Sequence, residues 1–236
     1  MNLSIVIPVY NEEKIIKSAV DNLTGTVKSR FPDLDFEILL MENGSADNTP
    51  QLVDQLESEY SQVRAFHNSN PDYGRALRRG ILEARGEFVV GDEIDLGDVD
   101  FYEKGFKLLE DPAVQMVIGS KALPASADKR PLLRRAATRG INFLLRLVLG
   151  FQGTDTHGLK IFRRSSLLPV VEECVIGKDL FASEFVIRAQ RHGILTLEIP
   201  VMLHEKRPPA INLLKRVPGV LKGLWILHKN LGPRSQ

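Results

Sequence analysis

The strongest constraint on this chain is an alternation that runs through its first 118 residues: short apolar, β-branched runs separated by amphipathic helical stretches. Leu3–Val9 reads as a buried strand, and Glu12 to about Lys28 as a helix with Ile15, Ile16, Ala19, Val20 and Leu23 on one face. Phe36–Met41 is the next strand. Ser45 or Asp47 can cap the helix that follows, with Pro50 in its first turn. Val63–Phe66 is a strand, Asp72 can cap a helix through Ala76, Leu77 and Ile81, and Phe88–Val90 is another strand. After an acidic loop, Asp100 can cap a helix to about Glu110, and Val114–Ile118 closes the series. Strands that alternate with helices predict an α/β fold, a mostly parallel sheet with helices on both faces. Ligands of such sheets lie beyond the carboxyl ends of the strands.

The second half is less regular. The pattern predicts a polar loop over 122–131, a long Arg-rich amphipathic helix over Leu132–Leu149, and a turn-rich loop over Gly153–Gly158. It continues with a strand at Leu159–Phe162, a helix at Phe181–His192, a strand at Ile194–Ile199 and a last helix over Ile211–Asn230 with a Pro218-Gly219 kink. Residues 1–205 are read as one catalytic domain, with a nucleotide-binding half (1–118) and an acceptor half (119–205). Residues 206–236 are read as a basic amphipathic appendage. Charge divides along the same line. The first 118 residues hold 11 Lys/Arg against 22 Asp/Glu, and the rest 20 against 8, which suits a cation in front and phosphates or an anionic surface behind. The single cysteine, Cys174, rules out an internal disulfide framework and fits a reducing compartment. The opening residues lack a basic, signal-like start, and no run approaches the roughly 20 apolar residues that cross a bilayer. The expectation is a cytoplasmic protein attached peripherally to the cytoplasmic face of a membrane.

Each strand of the first half ends in polar residues: Tyr10-Asn11-Glu12-Glu13, Glu42-Asn43-Gly44-Ser45, Asn68-Ser69-Asn70 with Gly74-Arg75 after it, and Asp92-Glu93-Ile94-Asp95. One sheet edge would gather them all. Their carboxylates and amides suit the hydroxyls and ring edges of a nucleoside, Gly44 allows a close backbone approach, and Arg75 can pair with a diphosphate. Taken singly, each cluster is also ordinary turn and cap chemistry. Asp92, Glu93, Asp95, Asp98 and Asp100 fall within nine residues. Glu93 and Asp95, two apart after an apolar strand, could supply the one or two carboxylates that Mg²⁺ takes beside substrate phosphates.

Several of these segments resemble one family. Ser4-Ile5-Val6-Ile7-Pro8-Val9-Tyr10-Asn11-Glu12 looks like the opening of the large inverting glycosyltransferase family with the GT-A fold. Glu42-Asn43-Gly44-Ser45, with Asp47 and Thr49, is similar to its Asp-Asp-Gly-Ser motif. Asn70, Gly74, Arg75, Ala76 and Gly80 match its Asn…Gly-(Lys/Arg)-Ala…Gly stretch, and Glu93-Ile94-Asp95 falls at its metal-binding Asp-x-Asp. Asp155-Thr156-His157-Gly158-Leu159-Lys160 with Arg163, then Glu184, Glu198-Ile199-Pro200-Val201 and Lys206-Arg207, resemble the dolichol-phosphate mannose synthase branch, which acts on polyprenyl phosphates. The resemblance implies that Pro8, Tyr10, Glu12, Glu42, Asn43 and Gly44 line the nucleotide, that Arg75 and Glu93 lie near its diphosphate, and that Glu93 and Asp95 hold Mg²⁺ or Mn²⁺. Three positions depart from the pattern: Glu42-Asn43 replaces the acidic pair, Glu93 replaces an Asp, and Gly97 stands where the branch often has Gln.

An acceptor hydroxyl needs a base to take its proton, whereas a phosphate is already anionic and needs cations. Arg130, Arg134, Arg135, Arg139, Lys160, Arg163, Lys206 and Arg207 are available, with Arg139, Arg163 and Arg207 the preferred contacts for an acceptor phosphate. Asp155 and Glu184 are the candidate bases for a hydroxyl acceptor, and Arg163 joins them as a catalytic candidate. The expected activity is metal-dependent, inverting transfer of mannose or glucose from a GDP- or UDP-sugar to a polyprenyl phosphate. A soluble hydroxyl acceptor is one alternative, and a catalytically dead nucleotide-sugar-binding regulator is another. The expected partners are those two substrates, a membrane surface through the Trp225-bearing tail and possible membrane proteins, with no role for nucleic acid.

Overall fold

A computed structural model describes residues 2–123, 132–177, 180–201 and 213–231, with the side chains of the last two helices described from 140 and, apart from 219, from 221. The elements, in chain order, are β1 (Asn2–Val9), α1 (Ile16–Arg30), β2 (Asp35–Asn43), α2 (Thr49–Glu59), β3 (Val63–Asn68), α3 (Tyr73–Glu83), β4 (Phe88–Gly91), α4 (Val99–Leu109), β5 (Met116–Ser120), α5 (Leu132–Leu149), β6 (Lys160–Arg163), α6 (Arg164–Glu173), α7 (Phe181–Arg191), β7 (Thr196–Pro200) and α8 (Leu213–Leu231).

The seven strands form one sheet in the order β3-β2-β1-β4-β6-β5-β7. Pairing is parallel except where β6 runs against both of its neighbours, β4 and β5. The alternation of side chains along a strand divides the core in two. Leu3, Ile5, Ile7 and Val9 of β1 meet α1, α2 and α4, while Val6 faces the layer of α3, α5, α6, α7 and α8. Both faces are therefore covered, as the alternating pattern predicts.

The differences from the pattern are local. Glu12 to Ile15 form a turn before α1 rather than its first turn, with the Ile15 N–H on the Glu12 carbonyl at 3.0 Å. Asn48 stands at the cap of α2 without a side-chain capping bond, its amide N–H₂ donating instead to Glu13 at 3.2 Å, while Asp47 Oδ1 accepts from the Thr49 N–H at 3.0 Å. Asp98, not Asp100, caps α4, taking the Phe101 N–H at 3.0 Å. Asp100 instead pairs with Arg30 on α1. Helix α6 has no counterpart in the periodicity reading, because Pro169 interrupts its ten residues and the stretch carries no clear apolar stripe. The tail helix α8 docks on the domain: Leu224 and Leu227 are buried in the second core cluster, and Gly223 lies so close to Leu180 that a Cβ there would be 1.7 Å from it. No described helix is long and apolar enough to cross a membrane.

Candidate active site

Register places the predicted clusters on one edge. Val9 of β1 is level with Glu42 of β2, which is level with His67 of β3, while Val6 pairs with Gly91, the last residue of β4. The chain leaves β1 through Asn11 in the left-handed region (φ 55°), which turns it onto the loop after β2. The Asn11 N–H donates to Ser45 Oγ at 2.9 Å, and Asn11 Oδ1 accepts from the Ala46 N–H at 2.8 Å. The Glu12 N–H donates to Thr49 Oγ1 at 2.8 Å. Pro8 is half-buried and Tyr10 is exposed, so the two loops form a braced shelf on which the Tyr10 ring is open.

Glu42 is buried. Its Oε1 accepts from the Ser45 N–H at 2.6 Å, and its Oε2 lies 3.6 Å from His67 Nδ1. Asn43 Oδ1 accepts from the Asp72 N–H at 2.8 Å, and Asp72 caps α3 by accepting from the Arg75 N–H at 2.9 Å. Gly44 between them has φ +72°, and a Cβ there would crowd Pro71 at 3.1 Å, so glycine meets two demands at once. The Arg75 guanidinium is 80 % exposed with only a 3.4 Å contact to Asp72, leaving a cation at the start of a helix and free to turn.

The acidic loop follows β4. Asp92 points into the core, and burial pushes its carboxyl up to about 7. Glu93 and Asp95 are half-buried. Asp95 borders a cavity of about 490 Å³ between α1, α4 and the end of β7. Glu93 lies on the other side, near Lys160 and the exposed Tyr73.

Strand β6 brings the acceptor half to this edge. Lys160 pairs with Gly91 at the root of the acidic loop. It is buried, its Nζ donates to the Gly158 carbonyl at 2.7 Å, and burial lowers it to about 8 against the opposing pull of Asp155. Asp155 is buried beside it and engaged on both oxygens, Oδ1 by the His157 N–H at 2.8 Å and Oδ2 by the Lys121 N–H at 3.2 Å. Glu198 of β7 grips this loop through the N–H groups of Thr154 (2.7 Å) and Asp155 (3.3 Å). A Cβ on Gly158 would stand 1.8 Å from the Gly119 carbonyl oxygen, so the loop passes over β5 in backbone contact.

Two expected site residues lie elsewhere. Arg163 is level with Phe88, at the start of β4 and three residues along β6 from Lys160, roughly 10 Å from the site edge. Its guanidinium stacks 5.0 Å over Phe88, bonds the Leu109 carbonyl and reaches Glu87 at 3.4 Å. This is a packing role, away from any ligand at the opposite edge. Glu184 is fully buried in α7: Oε2 accepts from the N–H groups of Val175 (3.0 Å) and Ile176 (2.8 Å), and Oε1 from Arg188 Nε at 2.9 Å. It fixes the 175–177 segment, whose Gly177 abuts Asp72. The side chain of Arg139, all of Arg207 and the basic pair Lys206-Arg207 lie outside the described residues. Lys160 is one of the eight candidate cations named from the sequence, and its place in Asp155-Thr156-His157-Gly158-Leu159-Lys160 is the signal for it. Nothing in the sequence marked Tyr73.

Glu93 and Asp95 offer hard oxygen donors on the loop that follows β4. Among the described residues, no group of three or more Asp, Glu, His or Cys side chains could hold a metal ion alone. This donor set fits Mg²⁺ or Mn²⁺ that completes its coordination with diphosphate oxygens.

The mixed seven-stranded sheet, covered by helices on both faces, is a fold of the GT-A kind. The chain belongs to glycosyl transferase family 2, whose model matches residues 4–168. It is 29 % identical to glycosyltransferase AglD of Haloferax volcanii over 96 % of this chain and 38 % of that protein. It is 31 % identical to dolichyl-phosphate beta-glucosyltransferase ALG5A of Trichomonas vaginalis over 86 % of this chain and 66 % of that one. The chain thus spans less than two thirds of these relatives. Among solved structures, glucosyl-3-phosphoglycerate synthase of Mycobacterium tuberculosis, in complex with Mn²⁺, UDP and phosphoglyceric acid, shares the fold: TM-score 0.65 at 19 % identity, over 99 % of this chain and 80 % of that one.

Proposed function

We propose that this chain transfers a hexose, glucose or mannose, from a GDP- or UDP-sugar to a polyprenyl phosphate, with inversion at the anomeric carbon. The observation that carries the acceptor is the state of the two candidate bases. Glu184 is saturated inside α7, and Asp155 is buried with both oxygens on backbone N–H groups. Both are committed to hydrogen bonds within the protein, which favours an acceptor whose phosphate oxygen needs no base. The dolichyl-phosphate relative points the same way.

In this reading Pro8, Tyr10 and Glu42 border the base and ribose, and Asn43 and Gly44 hold the start of α3 so that Arg75 reaches the diphosphate. Glu93 and Asp95 hold Mg²⁺ or Mn²⁺. Bound there, the cation offsets the charge that builds on the departing nucleotide diphosphate. Lys160 stays between Asp155 and Glu93 and keeps the two carboxylates of the donor and acceptor sides apart. The acceptor phosphate attacks from the side of the 153–158 loop in one displacement, and the nucleotide leaves toward Arg75. Arg139 and Arg207 are the proposed cations for the lipid phosphate.

Attachment to the cytoplasmic face of a membrane fits the outer surface of α5 and α8, which pack together. Neither helix contains a single Asp or Glu. Phe143 and Leu147 on α5, and Leu221 and Trp225 on α8, are each more than half exposed, with Lys229 5.5 Å over the Trp225 ring. Apolar side chains among cations suit an anionic lipid surface, where each Lys or Arg adds about 1 kcal/mol.

The test is sugar transfer from GDP- and UDP-glucose and -mannose to a short polyprenyl phosphate, with Mg²⁺ or Mn²⁺ and with EDTA. Transfer that EDTA abolishes is the expected result. Metal-dependent donor hydrolysis without transfer to lipid would refute the lipid acceptor in favour of a hydroxyl one. Binding of donor with no turnover under any condition would refute catalysis.

A further inference from the structure

Asp92 has no part in the roles above, and its placement is costly. It is 1 % exposed, and the charges that bear on it, the carboxylates of Glu93 and Asp98, are of its own sign. It does gain a fixed geometry. Its N–H donates to the Val6 carbonyl at 3.0 Å, the last rung tying the acidic loop to β1. One carboxyl oxygen takes the hydroxyl of Tyr102, itself wholly buried in α4. The other accepts from the Glu93 N–H at 2.6 Å, which fixes the peptide plane between the two residues. Two positions on, Ile94 is buried again in the same core cluster as Tyr102. Glu93 is therefore held between two inward anchors, and its carbonyl closes the turn that follows by accepting from the Leu96 N–H at 3.0 Å.

We propose that Asp92, pinned by Tyr102, is a positioning residue that aims Glu93 out of the sheet and thereby sets the affinity of the cation–diphosphate site. The proposal rests on the reading that Glu93 and Asp95 hold the cation. Groups that orient a metal ligand typically change metal affinity 10- to 100-fold when removed.

The experiment is calorimetric binding of Mn²⁺ in the presence of UDP or GDP, with thermal unfolding recorded for each variant. Asp92→Asn keeps one acceptor oxygen for the Glu93 N–H and turns its amide N–H₂ to the Tyr102 oxygen, which can accept, so it is expected within about threefold of the parent affinity. The double variant Asp92→Val/Tyr102→Phe removes both polar partners together, a replacement that folded proteins tolerate. It is expected to lose about 10-fold or more in affinity. Tyr102→Phe alone removes only the pin and is expected to weaken binding by about threefold or more, which also serves if the double variant does not fold. Glu93→Gln is the reference for the site itself. If it loses affinity while both Tyr102→Phe and the double variant bind like the parent, the role of Asp92 is overturned and the metal site stands. If Glu93→Gln binds like the parent, the metal site is overturned and the role of Asp92 with it.

Discussion

Replacing Glu184 by Gln separates a structural carboxylate from a catalytic one. In the folded protein Glu184 accepts from two backbone N–H groups on one oxygen and from Arg188 on the other. A glutamine has one acceptor oxygen, so its amide N–H₂ must face either the backbone pair or the guanidinium. Breaking a buried ion pair by removing one partner costs about 3–5 kcal/mol. Arg188 keeps a second carboxylate, Glu173, at 3.4 Å, which places the expected loss near the lower limit, about 3 kcal/mol. For a domain of this size each kcal/mol moves the melting midpoint by about 2–4 °C, so the shift is roughly 6–12 °C. The assay pairs thermal unfolding by far-UV circular dichroism with kcat measured well below both midpoints. The structure predicts a large fall in Tm and a kcat within about threefold of the parent. A general base is worth about 10²- to 10⁴-fold in rate. A kcat loss of that size with an unchanged Tm would refute the structural role and restore Glu184 as the base for a hydroxyl acceptor.

Arg163→Ala removes a stacked, half-exposed guanidinium at the far end of β6, so it is expected to cost about 1 kcal/mol of stability and to leave KM for the lipid phosphate unchanged. A tenfold rise in that KM would return Arg163 to the site. Gly158→Ala forces a Cβ to 1.8 Å from a backbone oxygen of β5, and the loop carrying Asp155 must move; the expectation is loss of several kcal/mol in denaturant unfolding, refuted by a midpoint equal to the parent's. Asp92 is raised from 3.8 to about 7 by burial, so between those values the folded state binds more protons than the unfolded one. Its contribution to stability is complete below pH 4 and is lost as pH rises through about 7, by at most about 4 kcal/mol. In metal-free protein, the parent should therefore lose stability relative to Asp92→Asn between pH 4 and 7.5, and parallel curves for the two would refute the shift.

The sequence by itself determined the layered α/β class, because the period of its apolar residues changes from strand to helix and back, and burial on both faces of a sheet is the one way to satisfy that pattern. It also determined which strand ends carry polar clusters, and Gly44, Asp72 and Pro50 marked turns and helix starts that the structure has, because those signals are local backbone chemistry. Function at the level of the family was legible in the same way, through contiguous motifs such as Ser4–Glu12 and Glu93–Asp95. What only the tertiary structure decided depends on which distant residues share an edge. The antiparallel run of β6 puts Lys160 at the root of the acidic loop and carries Arg163 to the opposite end, although the two are three residues apart and both cationic. Periodicity did not reveal that Asp92 points inward to Tyr102, nor that Glu184 is spent on a neighbouring backbone segment. A charged side chain reads the same in sequence whether it faces a ligand, a helix end or the core, and only its partners in space fix which of these it does.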